Sequence, residues 1–458
     1  MLNRNSLRAM ALMVRNREAS AVELVQAHLD EIARRNPALN AFSMVLSERA
    51  LEDAKTAPAG PLQGVPLTVK DSFDMAGLPT NAGSRLRIGH RANGDATAVA
   101  RLRRAGAIIL GKTNTPEFLA SYETDNLLTG RTNNPWNVDR TCGGSSGGEA
   151  AAIASYCSAG GLGSDGGGSI RVPAHFCGVA GLKPTPGRIS GRGHFPSLGH
   201  PGGLVTVAGP MARSAGDLRL LFDALTSYDA EDPFSVPSPL RESRADQPRI
   251  LVWDGFYDVP VDSEVRYAVH GAASMLENAG FATEEFLPTG LERAPNVWAF
   301  LFSQWPAPFT RKLVEGRETE AHWTLMEGIS PANPTGEQAI ANLVMRDRLR
   351  ASLLRQMPEN AIVLMPVSGI TAFPHRRRKF LVEGKEIGLF QAMMPAVLAN
   401  VLGLPAVTVP IARSREGLPI GIQLMGRPFS DELLLDVAAR LETERGAWTL
   451  PEPADNGG

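Results

Sequence analysis

Two closely spaced runs hold the densest glycine in the chain, Cys142-Gly143-Gly144-Ser145-Ser146-Gly147-Gly148 and Gly163-Ser164-Asp165-Gly166-Gly167-Gly168-Ser169-Ile170-Arg171. Ordering a glycine gives up more backbone freedom than ordering any other residue, so such runs belong where the chain bends sharply or another group approaches its backbone. Three glycines ahead of Ser169 let successive N–H groups turn toward one point, as in an anion-binding nest or an oxyanion hole. Flexible linkers share this composition. Two features oppose a linker: the runs enclose Ala150-Ala151-Ala152-Ile153-Ala154, a good helix former, and Ile170-Arg171-Val172-Pro173 follows without a break.

A serine placed as Ser169 is requires a base. Upstream, Leu67-Thr68-Val69 is a short strand-like run that ends on Lys70. A lysine closing a buried strand can serve as a neutral amine, because desolvation disfavours its charged form. Most lysines at strand ends are solvated, so Lys70 alone decides nothing.

Taken together, the motifs resemble the amidase signature family, whose members hydrolyse amides with a Ser-cisSer-Lys triad. The matching stretches are Gly64-Val-Pro-Leu-Thr-Val-Lys70-Asp71, Gly143-Gly-Ser145-Ser146-Gly-Gly148 and Gly163-Ser-Asp165-Gly-Gly-Gly-Ser169-Ile-Arg171, with the two serines 24 positions apart. Further matches are Gly111-Lys-Thr-Asn-Thr-Pro-Glu-Phe118, Asn134-Pro-Trp136, Cys177-Gly-Val-Ala-Gly-Leu-Lys-Pro-Thr185 and Gly209-Pro-Met-Ala-Arg213. They are dense from residue 20 to 218 and thinner at Gly403-Leu-Pro-Ala406 and Gly417-Leu-Pro-Ile-Gly-Ile-Gln423. One departure is Gly166, where many members carry a side chain.

The resemblance implies an α/β fold, a large mixed central β-sheet with helices on both faces, formed by a single domain over 1–458. Its halves fall at 1–227 and 249–458, and a variable region at 291–360 borders the substrate entrance. It further implies that Ser169 attacks the amide carbonyl, that Ser145, after a cis peptide bond, relays the proton, and that Lys70 accepts it. The N–H groups of Gly166, Gly167, Gly168 and Ser169 would face the oxyanion, with Asp165, Arg171 and Ser146 in support. No metal and no organic cofactor are expected. The expected partner is a small-molecule amide, and a homodimer is expected from the resemblance.

Such a lysine must lose roughly three pKa units from about 10.4, about 4 kcal/mol. Adjacent side chains on an extended strand point to opposite faces, so Asp71 should look away from the amine.

Bulk properties exclude several classes. The 458 residues carry a net charge of −2, which gives no reason to expect nucleic acid or an anionic membrane as partner. Three cysteines cannot all pair, which suits a reducing compartment, and the expected location is cytoplasmic. Arg4 and Arg8 interrupt the first residues, which do not read as a secretory signal. Met393 to Ala412 carries no charge and is long enough to span a membrane, but Pro395, Pro405 and Pro410 favour a short buried helix at 396–402 followed by a core strand at 406–409.

Along the chain, Ser20 and Glu23 cap a helix over 21–34, with a strand at 40–45 and a helix at 47–55. A helix at 96–105 and a strand at 107–110 follow. Gly106 to Thr113 fits the phosphate-loop pattern by letter, yet a strand lies where that motif needs a loop. Gly161 to Gly166 fits a dinucleotide pattern, but no strand feeds it. Ser145 also fits a nucleophile elbow, which keeps open a Ser-His-Asp hydrolase using His270, His322 or His375, although Asn137 to Thr141 is a poor strand to precede it. A second alternative is the glutamine-dependent amidotransferase subunit that acts on aminoacyl-tRNA. Residues 228–248 read as a surface crossover, 249–253 and 281–286 as strands, and 263–279 as a helix. Region 291–360 holds Trp298, Phe300, Phe302, Trp305, Phe309 and Trp323, with little regular signal before a helix at 337–354. His375 to Lys379 reads as a solvated turn, with a lesser reading as an anion holder.

Overall fold

In the computed structural model, which describes residues 1–240 and 247–452, eleven segments pair into one sheet. In chain order these are β1 (Phe42–Val45), β2 (Pro66–Lys70), β3 (Ile108–Thr113), β4 (Gly160–Asp165), β5 (Ala180–Lys183), β6 (Val207–Ala212), β7 (Arg249–Val252), β8 (Thr283–Glu285), β9 (Ala361–Pro366), β10 (Ala406–Arg413) and β11 (Pro419–Met425). Their spatial order is β1-β3-β2-β4-β6-β5-β10-β11-β9-β7-β8. The β3-β2-β4 and β9-β7-β8 stretches are parallel and every other pairing is antiparallel, so the sheet is mixed and both halves of the chain contribute to it.

The inner strands are buried at nearly every position, as a sheet covered on both faces demands, while successive side chains point to opposite faces. Leu67, Val69, Ile109, Ile362, Leu364, Val407 and Val409 pack on one face, together with residues of helices Ala215–Leu225, Ser263–Asn278 and Asp431–Arg445. Ile108 and Leu110 pack on the other, with helices Ala21–Leu39 and Gly147–Ala154. A register shift between Leu67 and Thr68 pairs Val69 with Lys112 and Lys70 with Thr113. Lys70 and Thr113 therefore share the face of helix Gly147–Ala154, and Lys112 shares the opposite one with Val69.

Most expected elements form where the sequence places them. The Ser20–Glu23 capping box closes reciprocally, with the Glu23 N–H on Ser20 Oγ at 3.1 Å and the Ser20 N–H on Glu23 Oε2 at 2.7 Å. The short helix expected at 396–402 forms as Met394–Val401, and no helix among the described residues is long and apolar enough to cross a membrane. The 228–248 crossover carries no helix or strand where it is described, and its 241–246 portion lies outside the described residues.

Three expectations need correction. The Gly161-Leu-Gly163 segment is not a loop lacking a feeding strand; it is itself β4, an inner strand. Its glycines are explained by crowding, since a Cβ at Gly161 would sit 1.9 Å from Glu149 Oε1 and 2.4 Å from the Thr68 carbonyl oxygen. Asn137–Thr141 does form a strand, but in a separate two-stranded ribbon with Asn133–Asn134. Region 291–360 is more regular than its pattern suggests, with helices Ala294–Ala299, Ala307–Val314 and Trp323–Gly328 joined in part by a π-turn at Phe300–Gln304. Helices of six to eight residues are too short to display a 3.6-residue period, and dense aromatics mask what remains.

Gly161→Ala is expected to destabilise the fold by about 1–3 kcal/mol through overpacking against Glu149 and β2. The drop in urea midpoint relative to wild type measures it.

Candidate active site

The strand end that carries Lys70 meets both glycine-serine runs. Lys70 is fully buried, and its Nζ lies 2.6 Å from Ser145 Oγ, 3.0 Å from Ser146 Oγ and 3.1 Å from Ser164 Oγ. Ser145 follows a cis peptide bond from Gly144 and leads into helix Gly147–Ala154. Ser146 gives its own hydrogen to the Ser164 carbonyl at 3.2 Å, so toward the amine it accepts. A neutral amine has two N–H groups and one lone pair. Directing the N–H groups at Ser146 and Ser164 leaves the lone pair for the Ser145 hydroxyl.

Burial drives the Lys70 pKa well below that of a free lysine, against the opposing pull of Asp165 and Glu149. Asp71, the next residue, does not join that pull. It lies on the other face, 2.7 Å from the buried Lys112 amine, as strand alternation requires. Three buried lysines can thus be told apart. Lys112 is ion-paired, Lys183 is pushed by burial to about 7 but bonds only to the carbonyls of Pro184 and Leu404, and Lys70 alone of the three faces a cluster of serine hydroxyls.

Beneath the amine sits Glu149, a residue the motif reading passed over. It is fully buried, accepts hydrogen bonds from Thr68 and from Thr113 at 2.7 Å, and burial raises it to about 7 despite those bonds and Lys70. A single acid between a glycine run and an apolar helix was the available signal.

Ser169 sits on the loop between β4 and helix Arg171–Cys177 and is 8% exposed. The loop is locked from several sides. Trp298 Nε1–H donates to the Gly166 carbonyl at 2.7 Å, Tyr122 Oη–H to the Gly167 carbonyl at 2.7 Å, and the Ser146 N–H to the Ser169 carbonyl at 3.0 Å. Gly168 N–H is taken by Asp165 Oδ1 at 2.7 Å, which removes it from the four donors expected of this loop. Among the described residues the N–H groups of Gly166, Gly167 and Ser169 have no partner, and neither does the Ser169 hydroxyl. No hydrogen bond joins the Ser145 and Ser169 hydroxyls in this structure.

Asp165 and Arg171 form no surface pair. Both are fully buried, with Arg171 Nε and Nη2 each 3.0 Å from a carboxylate oxygen. Asn400 Nδ2 reaches Asp165 at 2.9 Å and Arg171 Nη1 reaches Gln423 at 2.7 Å. Burial would raise the Asp165 carboxyl, but Arg171 and the Asn400 bond hold it well below the carboxylate range. Asn400 stands in the uncharged 393–412 run, where a lone amide must find partners, and Gln423 closes the Gly417–Gln423 motif.

Ser169 opens on a cavity walled by Leu119, Tyr122, Trp298, Phe302 and Phe390. None of the three candidate histidines hydrogen-bonds to Ser145. His270 pairs with Asp254, His322 with Thr324 and His375 with the Val138 carbonyl. Among the described residues no three His, Cys, Asp or Glu side chains gather as a metal site requires.

Comparison with known proteins bears on the family and the fold. The amidase family profile matches residues 23–435. The chain belongs to the amidase family. It is 34% identical to an indoleacetamide hydrolase of Bradyrhizobium diazoefficiens over 95% of this chain and 86% of that protein. It is 32% identical to a glutamyl-tRNA(Gln) amidotransferase subunit of Methylococcus capsulatus over 99% of each chain. Its fold matches a substrate-bound 6-aminohexanoate cyclic dimer hydrolase with a TM-score of 0.89 at 30% identity, covering 99% of both chains. As a member of this family the protein is a hydrolase of amide carbon–nitrogen bonds.

Asp165→Asn would leave Arg171 charged and buried without a counter-charge. The expected loss is about 3–5 kcal/mol of stability, measured by urea unfolding.

Proposed function

We propose that this amidase cleaves small-molecule amides through an acyl-enzyme on Ser169, with Ser145 as proton relay and Lys70 as the neutral base. One observation carries the reading: a fully buried amine, free of any ion pair among the described residues, lies 2.6 Å from Ser145 Oγ beside a loop with unpartnered N–H groups. Lys70 draws the hydrogen from Ser145, Ser145 draws one from Ser169, and Ser169 Oγ attacks the carbonyl carbon. The link between the two serines closes as the free Ser169 hydroxyl rotates; such contacts often tighten only with substrate present.

Gly166, Gly167 and Ser169 N–H groups receive the developing oxyanion, each such donor being worth roughly 100- to 1000-fold in rate. Gly168 supports the loop through Asp165 instead. The leaving amine recovers the proton along the same path, and water then releases the acid. Asp165, Arg171 and Ser146 hold the frame, and the whole chain acts as one catalytic unit.

The amidotransferase likeness spans the chain as fully as the hydrolase likeness does. The uncharged cavity wall favours small neutral amides over zwitterionic glutamine, whose charges would find no partner there. We place the enzyme in the cytoplasm, where its three buried, unpaired cysteines stay reduced. Light scattering after gel filtration tests the homodimer expected of the family.

Ser169→Ala and Lys70→Ala are each expected to lose at least about 1000-fold in kcat while circular dichroism stays native. Wild-type enzyme quenched with substrate should carry the acyl mass on the peptide containing Ser169. Full activity in either variant contradicts the triad.

Glu149→Gln supplies the pH test. The Glu149 carboxylate favours the charged form of Lys70, so removing it lowers the amine's pKa. The acid limb of kcat/KM marks protonation of Lys70 and should move to lower pH. A shift to higher pH contradicts the assignment of Lys70 as base.

A further inference from the structure

The cavity over Ser169 bears on which amides this chain accepts. Nine residues line it, and four of them, Tyr122, Trp298, Phe302 and Phe390, are aromatic. Two aromatic pairs form its walls. Trp298 and Phe302 are stacked, with centroids 5.0 Å apart and planes 13° from parallel, and Tyr122 meets Phe390 edge to face at 5.8 Å. The polar ends of Trp298 and Tyr122 are spent on the Gly166 and Gly167 carbonyls, which leaves their rings to face the cavity as apolar surface.

Among the described residues no charged side chain lines the cavity. The nearby cationic turn does not compensate. Arg378 pairs with Glu123 and lies over the Trp323 ring, the Arg376 guanidinium lies 3.8 Å from Asp125, and Lys379 pairs with Glu386. The reading of His375 to Lys379 as an anion holder gives way to one in which Arg376 and Arg378 face acidic residues of the chain itself, and Arg377 lies over the Phe380 ring.

Resting on the acyl-enzyme reading above, we propose that the preferred substrates are uncharged amides carrying one flat aryl group. A planar ring matches walls built of ring faces and edges, whereas a saturated ring of the same carbon count is thicker and lacks the quadrupole those walls complement. A carboxylate on the substrate would lose its water and gain no cation.

The test compares phenylacetamide, cyclohexylacetamide and para-carboxyphenylacetamide by kcat/KM, alongside labelling of Ser169 with a fluorophosphonate. Phenylacetamide should exceed cyclohexylacetamide roughly tenfold and the carboxylated amide roughly 100-fold. Phe302→Leu should bring the aryl-to-cyclohexyl ratio within about threefold of unity, the loss of one aromatic wall. Equal or better turnover of the cyclohexyl or carboxylated amide overturns the preference. So does turnover of none of the three by enzyme whose Ser169 is labelled. Failure of Ser169 to label would instead count against the acyl-enzyme reading on which the preference rests.

Discussion

An ammonium group removed from water with no carboxylate bonded to it is strongly disfavoured, and Lys70 stands in that position. Burial lowers the amine's pKa well below that of a free lysine, and the chain surrounds it with three hydroxyls. Everything nearby respects this. Strand alternation sends Asp71 to the far face, where Lys112 binds it, and Glu149 is kept close but held by two threonines rather than by the amine. A surface-exposed lysine at the same sequence position would remain charged and could take no proton.

A second buried network fixes the loop over that amine. Asp165 at the end of β4 gathers Arg171, Asn400 and the Gly168 and Ile170 N–H groups, while Arg171 extends to Gln423 on β11. The network crosses the whole chain, from the first glycine-rich strand to a strand some 250 positions later. Trp298, from the region expected to vary and to border the entrance, closes the loop from outside. The Ser169 loop and the cavity wall are thus one structure, because the same tryptophan braces the peptide and lines the cavity.

Much of this was legible in the sequence, for identifiable reasons. Ser145 and Ser169 lie in motifs dense with glycine, and such density betrays close backbone approach, while Lys70 ends the strand-like run Leu67-Thr68-Val69. Parity alone placed Asp71 away from the amine. The misread glycines of β4 show the limit of that logic: tight packing between strands and a mobile turn call for the same residue, and only the position of Glu149 tells them apart. Gly168 looked like a free donor because nothing local reveals that Asp165 curls back upon it. Asn400 and Gln423 were invisible as partners because their contacts join residues more than 200 positions apart.

The central claim is the charge state of one amine. It is read most directly by following the Lys70 side-chain resonance of lysine-labelled enzyme against pH, with the signal assigned through Lys70→Met. Deprotonation with a midpoint well below that of a free lysine, leaving the amine neutral where the enzyme works, is the predicted result. An ammonium form that persists to about 10.4, the value of an exposed lysine, would contradict the account.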